Sequence, residues 1–322
     1  MWAQRLVAPQ RLERTDVPAP REAALTPGEV LVEVAAGGIC GSDLPFFRGG
    51  VSPDAGPAVH EFGTPGFPMH EIAGTVLASR HPDIQAGDDV VGWAPRFDGL
   101  AERVVCDGDG LYAHDRRLAA RTAVMLQPLA CVLYAMEQVR PVEGRSVAVI
   151  GQGPIGLLFS HVAKTAGAAH VLGVDRVDRS GVAATFRVDE SVRASSDLWA
   201  ASLPVEGRPD LVIEAVGHQT ATLTHAVEAV AFRGEIFYFG VPDELTYPLP
   251  MRLFLRKNLT LRSGVTLERR RVLARAEHYL REHPGLAEQY VTHVFPVAEA
   301  QSAYEHAISP RSGQIKVVVT AA

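Results

Sequence analysis

At 322 residues the chain is too long for one compact core, which favours two domains. A hydrophobic fraction of 47% and a charged fraction of 21% exclude a disordered or fibrous protein. The net charge of −6 argues against non-specific binding of nucleic acid, which requires a basic surface.

Cysteine content and hydropathy predict the compartment. Cys40, Cys106 and Cys131 are too few and too far apart for a disulfide framework, which favours a reducing environment. The N-terminus lacks the apolar run of a signal peptide, and no stretch reaches 18 uninterrupted apolar residues. We therefore expect a cytoplasmic protein that does not enter a membrane.

The first 120 residues are typical of β structure. Residues 28–36, 69–77 and 88–93 are rich in Val or alternate between apolar and polar, as half-buried strands do. The pattern changes near Gln127 and Pro128, because proline suits the first turn of a helix. Residues 129–138 then run apolar at helical spacing.

Beyond residue 138, short apolar strands alternate with helical segments, which predicts a parallel, doubly wound sheet. After about Thr266 the chain is expected to return to the first domain through a charged helix over 267–282 and two strands over 291–297 and 314–320. The strands predicted for the parallel sheet are 146–150, 169–174, 211–216, 235–241 and 259–262, and the first of them precedes a helix over 154–165.

The strongest local signal is a glycine-rich turn, Gly151-Gln152-Gly153-Pro154-Ile155-Gly156, between that strand and that helix. Its first glycine permits a tight turn, its second lets the backbone approach a pyrophosphate, and its third lets helix and strand pack closely. The N–H groups at the start of the helix attract the phosphate. The strand and helix on either side make this motif more specific than an isolated match.

Asp175 lies 19 positions after Gly156, at the end of the next predicted strand. A carboxylate there accepts hydrogen bonds from both ribose hydroxyls of NAD and repels the 2′-phosphate of NADP. Arg176 and Arg179 leave NADP open, since either guanidinium would attract that phosphate. The alternative is an aspartate that only caps the end of a strand.

A second group of residues is typical of a zinc site. Cys40 follows the first predicted strand, and His70 and Glu71 open another strand thirty positions later. Thiolate and imidazole suit zinc, and a catalytic zinc keeps one position open beside three protein ligands. The Ser42 hydroxyl is placed to relay a proton, and Asp43 to orient His70. Without further context, a buried cysteine and a hydrogen-bonded histidine remain the plainer interpretation.

The order of these motifs resembles the medium-chain dehydrogenase/reductase superfamily, and within it the zinc alcohol dehydrogenase and sorbitol (polyol) dehydrogenase branch. The resemblance implies an α/β fold, with a Rossmann doubly wound parallel sheet inserted in a GroES-like β-rich catalytic domain. The domain limits are then 1–126 with 266–322, and 127–265. The matching segments are CGSD (40–43), HEIAGTV (70–76), QPLA (127–130), the glycine turn, Asp175 and GQIKV (313–317).

The resemblance also implies roles for single residues. Cys40 and His70 match zinc ligands, Glu71 matches an alternative ligand, Ser42 the proton relay and Asp43 the residue that orients the histidine. The residues that match the NAD site are Gly151, Gly153, Pro154, Ile155, Gly156, Asp175 and Arg176, with Val216, Gly240 and Val241 on the nicotinamide side.

Two departures concern the metal ligands. Gln127 stands where the polyol branch has a glutamate as third ligand, and its amide oxygen brings no charge. Glu71 is expected to move into the coordination sphere if Gln127 does not bind, and Cys131 is a poorer substitute one helical turn further on. Met69 replaces the glycine that precedes the His-Glu pair, with no predictable effect.

Other departures change the surroundings. The four-cysteine lobe of many members is absent between residues 93 and 104, which predicts one catalytic zinc and no structural zinc. Pro45 stands in place of a distant relay histidine. His60-Glu61 is either an exposed loop pair or part of the cleft mouth. Four aromatic residues match the substrate pocket or belong to the core: Phe46, Phe47, Trp93 and Phe97.

The expected activity is NAD-dependent oxidation of a secondary alcohol to a ketone, with a polyol, cyclitol or amino-polyol as substrate. One alternative is a zinc-independent quinone or alkene reductase, which Gln127 favours and Cys40 and His70 disfavour. Another is a non-catalytic NAD-binding protein. The expected partners are the small alcohol and a second copy of the chain, in a homodimer or homotetramer joined at the sheet edge near residues 245–253. Neither nucleic acid nor a membrane is expected as a partner.

Overall fold

The computed structural model describes residues 1–50 and 62–321, and it divides into two compact units. The first contains Met1–Ala130, Glu268–Pro310 and Gln314–Ala322, and the second contains Cys131–Leu267 with Arg311–Gly313. The domain limits inferred from motifs, 1–126 with 266–322 and 127–265, remain a prediction.

Strands dominate the first unit, and strands alternate with helices in the second. The strands are β1 (Trp2–Ala8), β2 (Arg11–Asp16), β3 (Glu29–Gly38), β4 (Glu71–Ser79), β5 (Asp89–Trp93), β6 (Arg103–Asp107), β7 (Leu111–Ala113), β8 (Ser146–Ile150), β9 (His170–Asp175), β10 (Glu190–Arg193), β11 (Leu211–Glu214), β12 (Glu235–Tyr238), β13 (Thr260–Ser263), β14 (Val291–Pro296) and β15 (Lys316–Thr320). The α-helices are α1 (Leu44–Phe47), α2 (Ala120–Ala123), α3 (Leu126–Gln138), α4 (Pro154–Thr165), α5 (Ser180–Ala183), α6 (Ser196–Ser202), α7 (Ala221–Ala229), α8 (Met251–Arg256), α9 (Arg269–Glu282), α10 (Leu286–Tyr290) and α11 (Ala300–Ala307).

The sheet of the first unit has the order β14-β15-β3-β4-β5-β7, with β6 also paired to β3. The last strand, β15, pairs antiparallel with β3, so the C-terminal segment joins the N-terminal strands. Glu71 lies opposite Gly38 of β3 and opposite Trp93 of β5. Directly opposed residues in antiparallel strands face the same side of a sheet, so this register fixes what surrounds Glu71.

The sheet of the second unit is parallel throughout, in the order β10-β9-β8-β11-β12-β13. The central strand β8 lies between β9 and β11, where the strand order reverses direction. Ligands of such sheets bind outside the carboxyl ends of the strands at this point. Gly151 follows β8 and Asp175 ends β9, so both lie at that edge. The predicted α/β fold with a Rossmann sheet and a GroES-like domain is confirmed.

Two element boundaries bear on the functional residues. Helix α3 begins at Leu126, so Pro128 stands in its first turn as expected, where no helical hydrogen bond needs its N–H. Strand β4, expected from Met69, begins at Glu71. The Met69 N–H instead donates to the Phe97 carbonyl, and its carbonyl accepts from the Gly99 N–H, so a loop holds this residue.

Within the described ranges, the helices are all too short or too polar to cross a lipid bilayer.

Candidate metal centre and dinucleotide site

Three side chains of the first unit converge where β3 ends and β4 begins. The Cys40 sulfur, a ring nitrogen of His70 and a carboxylate oxygen of Glu71 all lie within 4.8 Å of one another. Cys40 follows β3 and caps a short 3₁₀ helix, Gly41–Asp43. The structure therefore brings together three of the four predicted metal ligands.

The carboxylate of Asp43 bridges two of these ligands. Its Oδ2 accepts a hydrogen bond from the Cys40 backbone N–H at 2.8 Å, and its Oδ1 lies 2.7 Å from Nδ1 of His70. Asp43 is fully buried, so both contacts are shielded from water. With Nδ1 engaged, Nε2 is the nitrogen of His70 that remains for a metal.

Burial and charge act in opposite directions on His70. Burial disfavours the imidazolium, but the Asp43 carboxylate and the Cys40 sulfur outweigh it and raise the pKa of His70 well above its ordinary value. The site is therefore electrostatically negative and favours a cation at the imidazole.

Glu71 has a buried partner of opposite charge. The Lys316 ammonium on β15 lies 2.5 Å from Oε2 of Glu71, and both side chains are almost completely buried. Burial disfavours the ammonium, but Glu71 and then Cys40 outweigh it and raise the pKa of Lys316. Gly38 makes this pair possible, because a Cβ there would collide with Oε2 of Glu71 and with the Lys316 side chain.

The donor set fits zinc. Thiolate, imidazole and carboxylate are the ligands that zinc takes in proteins. Oε1 of Glu71 is buried and has no hydrogen-bond partner among the described residues, so it is an oxygen that a cation would satisfy. Asp43 supplies the carboxylate that commonly orients a metal-binding histidine.

The other residues predicted for this region lie in the same unit, apart from Cys131. Ser42 is half-buried in the 3₁₀ helix two residues after Cys40, and Gln127 is 3% exposed in the first turn of α3. Cys131 is a partly buried thiol on α3. Zinc coordination by Gln127 stays a prediction. His60-Glu61 lies outside the described residues.

The glycine turn of the second unit is built for a close approach to its backbone. Gly151 has φ +88°, a conformation that glycine adopts freely, and a Cβ on Gly156 would collide with the Gly151 carbonyl oxygen. Nothing lies within 4 Å of a Cβ built on Gly153, so the backbone faces open space there. Pro154 and Ile155 then begin α4, whose N-terminus no side chain caps.

Asp175 is held by backbone N–H groups at the end of β9. Its Oδ2 accepts from the Gln152 N–H at 2.7 Å, and its Oδ1 accepts from the Val177 N–H at 2.8 Å. An ionised carboxylate has about four acceptor positions, so two of them remain for a ligand. Arg176 is exposed, whereas Arg179 is 5% exposed and donates to the Arg311 carbonyl.

The ends of β11 and β12 carry the remaining predicted cofactor residues. Gly240 approaches Gly217 so closely that a Cβ on it would collide with the Gly217 backbone. The Val241 carbonyl accepts from the His218 N–H at 2.8 Å. Val216 is half-buried beside the glycine turn, since a Cβ on Gly151 would meet its Cγ2 at 2.7 Å.

Comparison with known proteins identifies the family. The model of the alcohol dehydrogenase GroES-like domain matches residues 26–127, and the model of the zinc-binding dehydrogenase matches residues 154–277. An L-arabinitol 4-dehydrogenase of Hypocrea jecorina is 28% identical over 341 residues, which cover 92% of this chain and 86% of that protein. The chain belongs to the zinc-dependent medium-chain dehydrogenase/reductase superfamily, in its sorbitol dehydrogenase-like branch.

Solved structures agree with this assignment. An alcohol dehydrogenase from Thermus sp. ATN1 is 28% identical, with a TM-score of 0.80 over 99% of both chains. An alcohol dehydrogenase from E. coli CFT073, solved with NADH, shares the fold with a TM-score of 0.78 over 99% of both chains, at 22% identity. The protein is thus a zinc-type dehydrogenase.

Gly37 makes room for the departure of this medium-chain dehydrogenase at Met69. The Met69 side chain is fully buried over Gly37 of β3, where a Cβ would collide with the methionine sulfur. The side chain that the sequence adds before His70 therefore occupies space that a glycine leaves free on the neighbouring strand.

Lys316 and Tyr304 lie at the centre but were not identified from the sequence. The Tyr304 hydroxyl donates to the Pro68 carbonyl, two residues before His70, and its ring packs against Phe47. The pKa of Tyr304 is raised well above its ordinary value, mainly by burial and next by the charge of the nearby Asp43. A lysine inside the apolar run IKVVV was the available signal for Lys316, whereas nothing in the sequence distinguished Tyr304.

We predict that Asp43→Asn weakens zinc binding by about 10- to 100-fold, the usual effect of removing the partner of a metal-binding histidine. The amide preserves the shape but brings an NH₂ group against one of the two donors. Chelator competition measures the change, and Asp89→Asn, on a carboxyl of β5 that accepts a hydrogen bond from Thr75 away from the cluster, is the control. Equal zinc affinity in Asp43→Asn and the parent protein would show that the bridge is dispensable.

Proposed function

We propose that the protein oxidises a secondary alcohol of a polyol, cyclitol or amino-polyol to a ketone, with NAD as acceptor and one catalytic zinc. The observation that carries this proposal is the convergence of Cys40, His70 and Glu71 within 4.8 Å, with Asp43 behind them. The curated relatives named L-arabinitol 4-dehydrogenase support the polyol class.

The roles proposed for the chain's own residues are those of the predicted metal and proton-relay site. A bound zinc supplies Lewis acidity, which lowers the pKa of an alcohol, and a bound nicotinamide accepts hydride. Cys40, His70 and either Glu71 or Gln127 would hold the metal. Ser42, half-buried two residues after Cys40, would take the proton of the alcohol and pass it to water.

The number of zinc ions follows from the cysteine inventory. Three cysteines are too few for a four-cysteine site, and Cys40 is the one of them that belongs to the cluster found among the described residues. One zinc per chain is therefore proposed. The small number of cysteines also supports the proposed cytoplasmic location, since disulfide frameworks are typical of oxidising compartments.

We expect about one zinc per chain in protein purified without chelator, and loss of that zinc in Cys40→Ala. Cys106→Ala is the matched control, because Cys106 is a buried thiol of β6 outside the cluster. Elemental analysis of the three proteins makes the comparison. Absence of zinc from the parent protein would contradict the proposal and favour a metal-free reductase acting on a quinone or activated alkene.

Turnover on an alcohol panel distinguishes an enzyme from an NAD-binding protein without activity. The panel contains pentitols, hexitols, cyclitols and amino-polyols, with NADH formation as readout. Cofactor binding with zinc present but no turnover on any member would support the non-catalytic alternative.

The preference for NAD rests on Asp175. Two backbone N–H groups lock its carboxylate, and its negative charge would repel a 2′-phosphate. Arg179 is engaged with the Arg311 carbonyl rather than extended to attract a phosphate.

Replacing Asp175 by serine is expected to weaken NAD binding at least tenfold, because charge-assisted hydrogen bonds contribute about 1.5–3 kcal/mol each. NADP binding should improve in the same variant, since the repulsion is removed. Fluorescence titration with NADH and NADPH gives both constants, and Asp178→Ser is the nearby control. An unchanged NADH-to-NADPH ratio would exclude Asp175 as the discriminating residue.

We also propose that two copies of the chain associate along β13. This strand is the edge of the parallel sheet, so no strand of the described residues pairs with its outer side. Exposed apolar side chains lie on this strand and in the chain segments before and after it, which is typical of an interface. They are Leu245, Met251, Leu255, Leu261, Val265 and Leu267.

Leu261→Lys should shift the protein toward the monomer, because an edge lysine opposes strand pairing. Val205→Lys introduces the same charge at another exposed apolar position and should leave the assembly unchanged. Sedimentation velocity compares both with the parent protein. A monomeric parent, or an unaltered Leu261→Lys assembly, would rule out this edge as the interface.

A further inference from the structure

The short loop between β5 and β6 contains a strained aromatic residue. Phe97 has φ +56°, a left-handed conformation that bulky side chains rarely adopt. Such strain persists only where the surroundings impose it, and it is concentrated at functional sites. The conformation of Phe97 therefore calls for a reason other than loop connection.

Three backbone hydrogen bonds hold this loop, and two of them join it to Met69. The Phe97 N–H donates to the Ala94 carbonyl at 3.1 Å, and the Phe97 carbonyl accepts from the Met69 N–H at 2.8 Å. Gly99 then donates to the Met69 carbonyl at 2.9 Å. The loop is thus bonded directly to the residue that precedes His70.

The strained backbone places the Phe97 ring against His70. The two ring centroids are 4.8 Å apart, with the planes inclined by 56°. Phe46 packs edge-on against Phe97, with centroids 5.4 Å apart. His70 is therefore contacted at Nδ1 by Asp43 and on its ring by an aromatic side chain that is itself packed.

One hydrogen bond does not fix the orientation of an imidazole. The ring can still tilt about the bond between Nδ1 and Asp43, which moves Nε2, and ligand groups must be held to within about 0.5 Å. An aromatic contact restricts that tilt because it acts on the plane of the ring. Phe97 thus supplies a restraint that the Asp43 bond alone does not.

We propose that Phe97 is a positioning residue for His70, and that the left-handed loop conformation exists to hold its ring on the imidazole. The inference rests on the proposed function in treating Cys40, His70 and Glu71 as a zinc site. It assigns a role to the short connection between β5 and β6.

Three variants of Phe97 distinguish the effect of its aromatic ring from the effects of its backbone conformation and its apolar volume. Phe97→Tyr keeps the ring, Phe97→Leu keeps apolar volume without a ring, and Phe97→Asn suits the left-handed conformation but has neither. If only the backbone conformation matters, asparagine is the best replacement. If only apolar volume matters, leucine is sufficient.

The measurements are zinc affinity by chelator competition, the visible spectrum of the cobalt-substituted protein, NADH affinity, and thermal unfolding of the zinc-free protein. We expect Phe97→Tyr to match the parent. Phe97→Leu and Phe97→Asn should bind zinc about tenfold more weakly and show an altered cobalt spectrum. Their NADH affinity should be unchanged, since the dinucleotide residues belong to the other unit.

Parent-like zinc affinity and cobalt spectrum in Phe97→Leu or Phe97→Asn would overturn the proposal. A lower unfolding temperature of the zinc-free variants with an unaltered cobalt spectrum would also overturn it, because Phe97 would then serve only packing. Absence of zinc from the parent protein would instead contradict the proposed function, so the two failures can be distinguished.

Discussion

The buried carboxylate of Asp43 is the constraint on which the metal centre depends. A buried charge is costly unless hydrogen bonds compensate it, and Asp43 obtains them from the Cys40 N–H and from His70. The two ligands come from segments thirty residues apart in sequence. The two contacts that stabilise Asp43 thus also fix the distance between Cys40 and His70.

Charge balance extends this constraint across the sheet. Asp43 and Glu71 are two fully buried carboxylates near one thiol, and the buried Lys316 offsets only part of their charge. The pairing of β15 with β3 delivers that lysine from near the C-terminus. The remaining negative charge raises the pKa of His70, and a divalent cation held by these residues would offset the same charge. The C-terminal segment is therefore part of the centre's electrostatics.

How far the sequence predicts each site depends on the range of the interactions that build it. The glycine turn and Asp175 depend on one strand, one turn and one helix, so their spacing was sufficient to identify them. Cys40 and His70 were found through their motifs, and their approach depends on the register of β3 and β4. Lys316 and the Phe97 contact could not be predicted, because strand pairing and one left-handed backbone angle create them.

Met69 shows why a departure from a family pattern cannot be judged at one position. A methionine in place of a small residue before His70 would normally overpack a strand junction. Gly37 lies on the neighbouring strand where a Cβ would collide with the methionine sulfur, so the volume added at one position is absent at the other.

The effect of Gln127 must likewise be judged together with a second residue. Its missing charge bears on zinc binding only together with Glu71, whose Oε1 has no hydrogen-bond partner among the described residues while Oε2 faces Lys316. The free oxygen gives Glu71 the capacity to coordinate a cation without giving up its lysine.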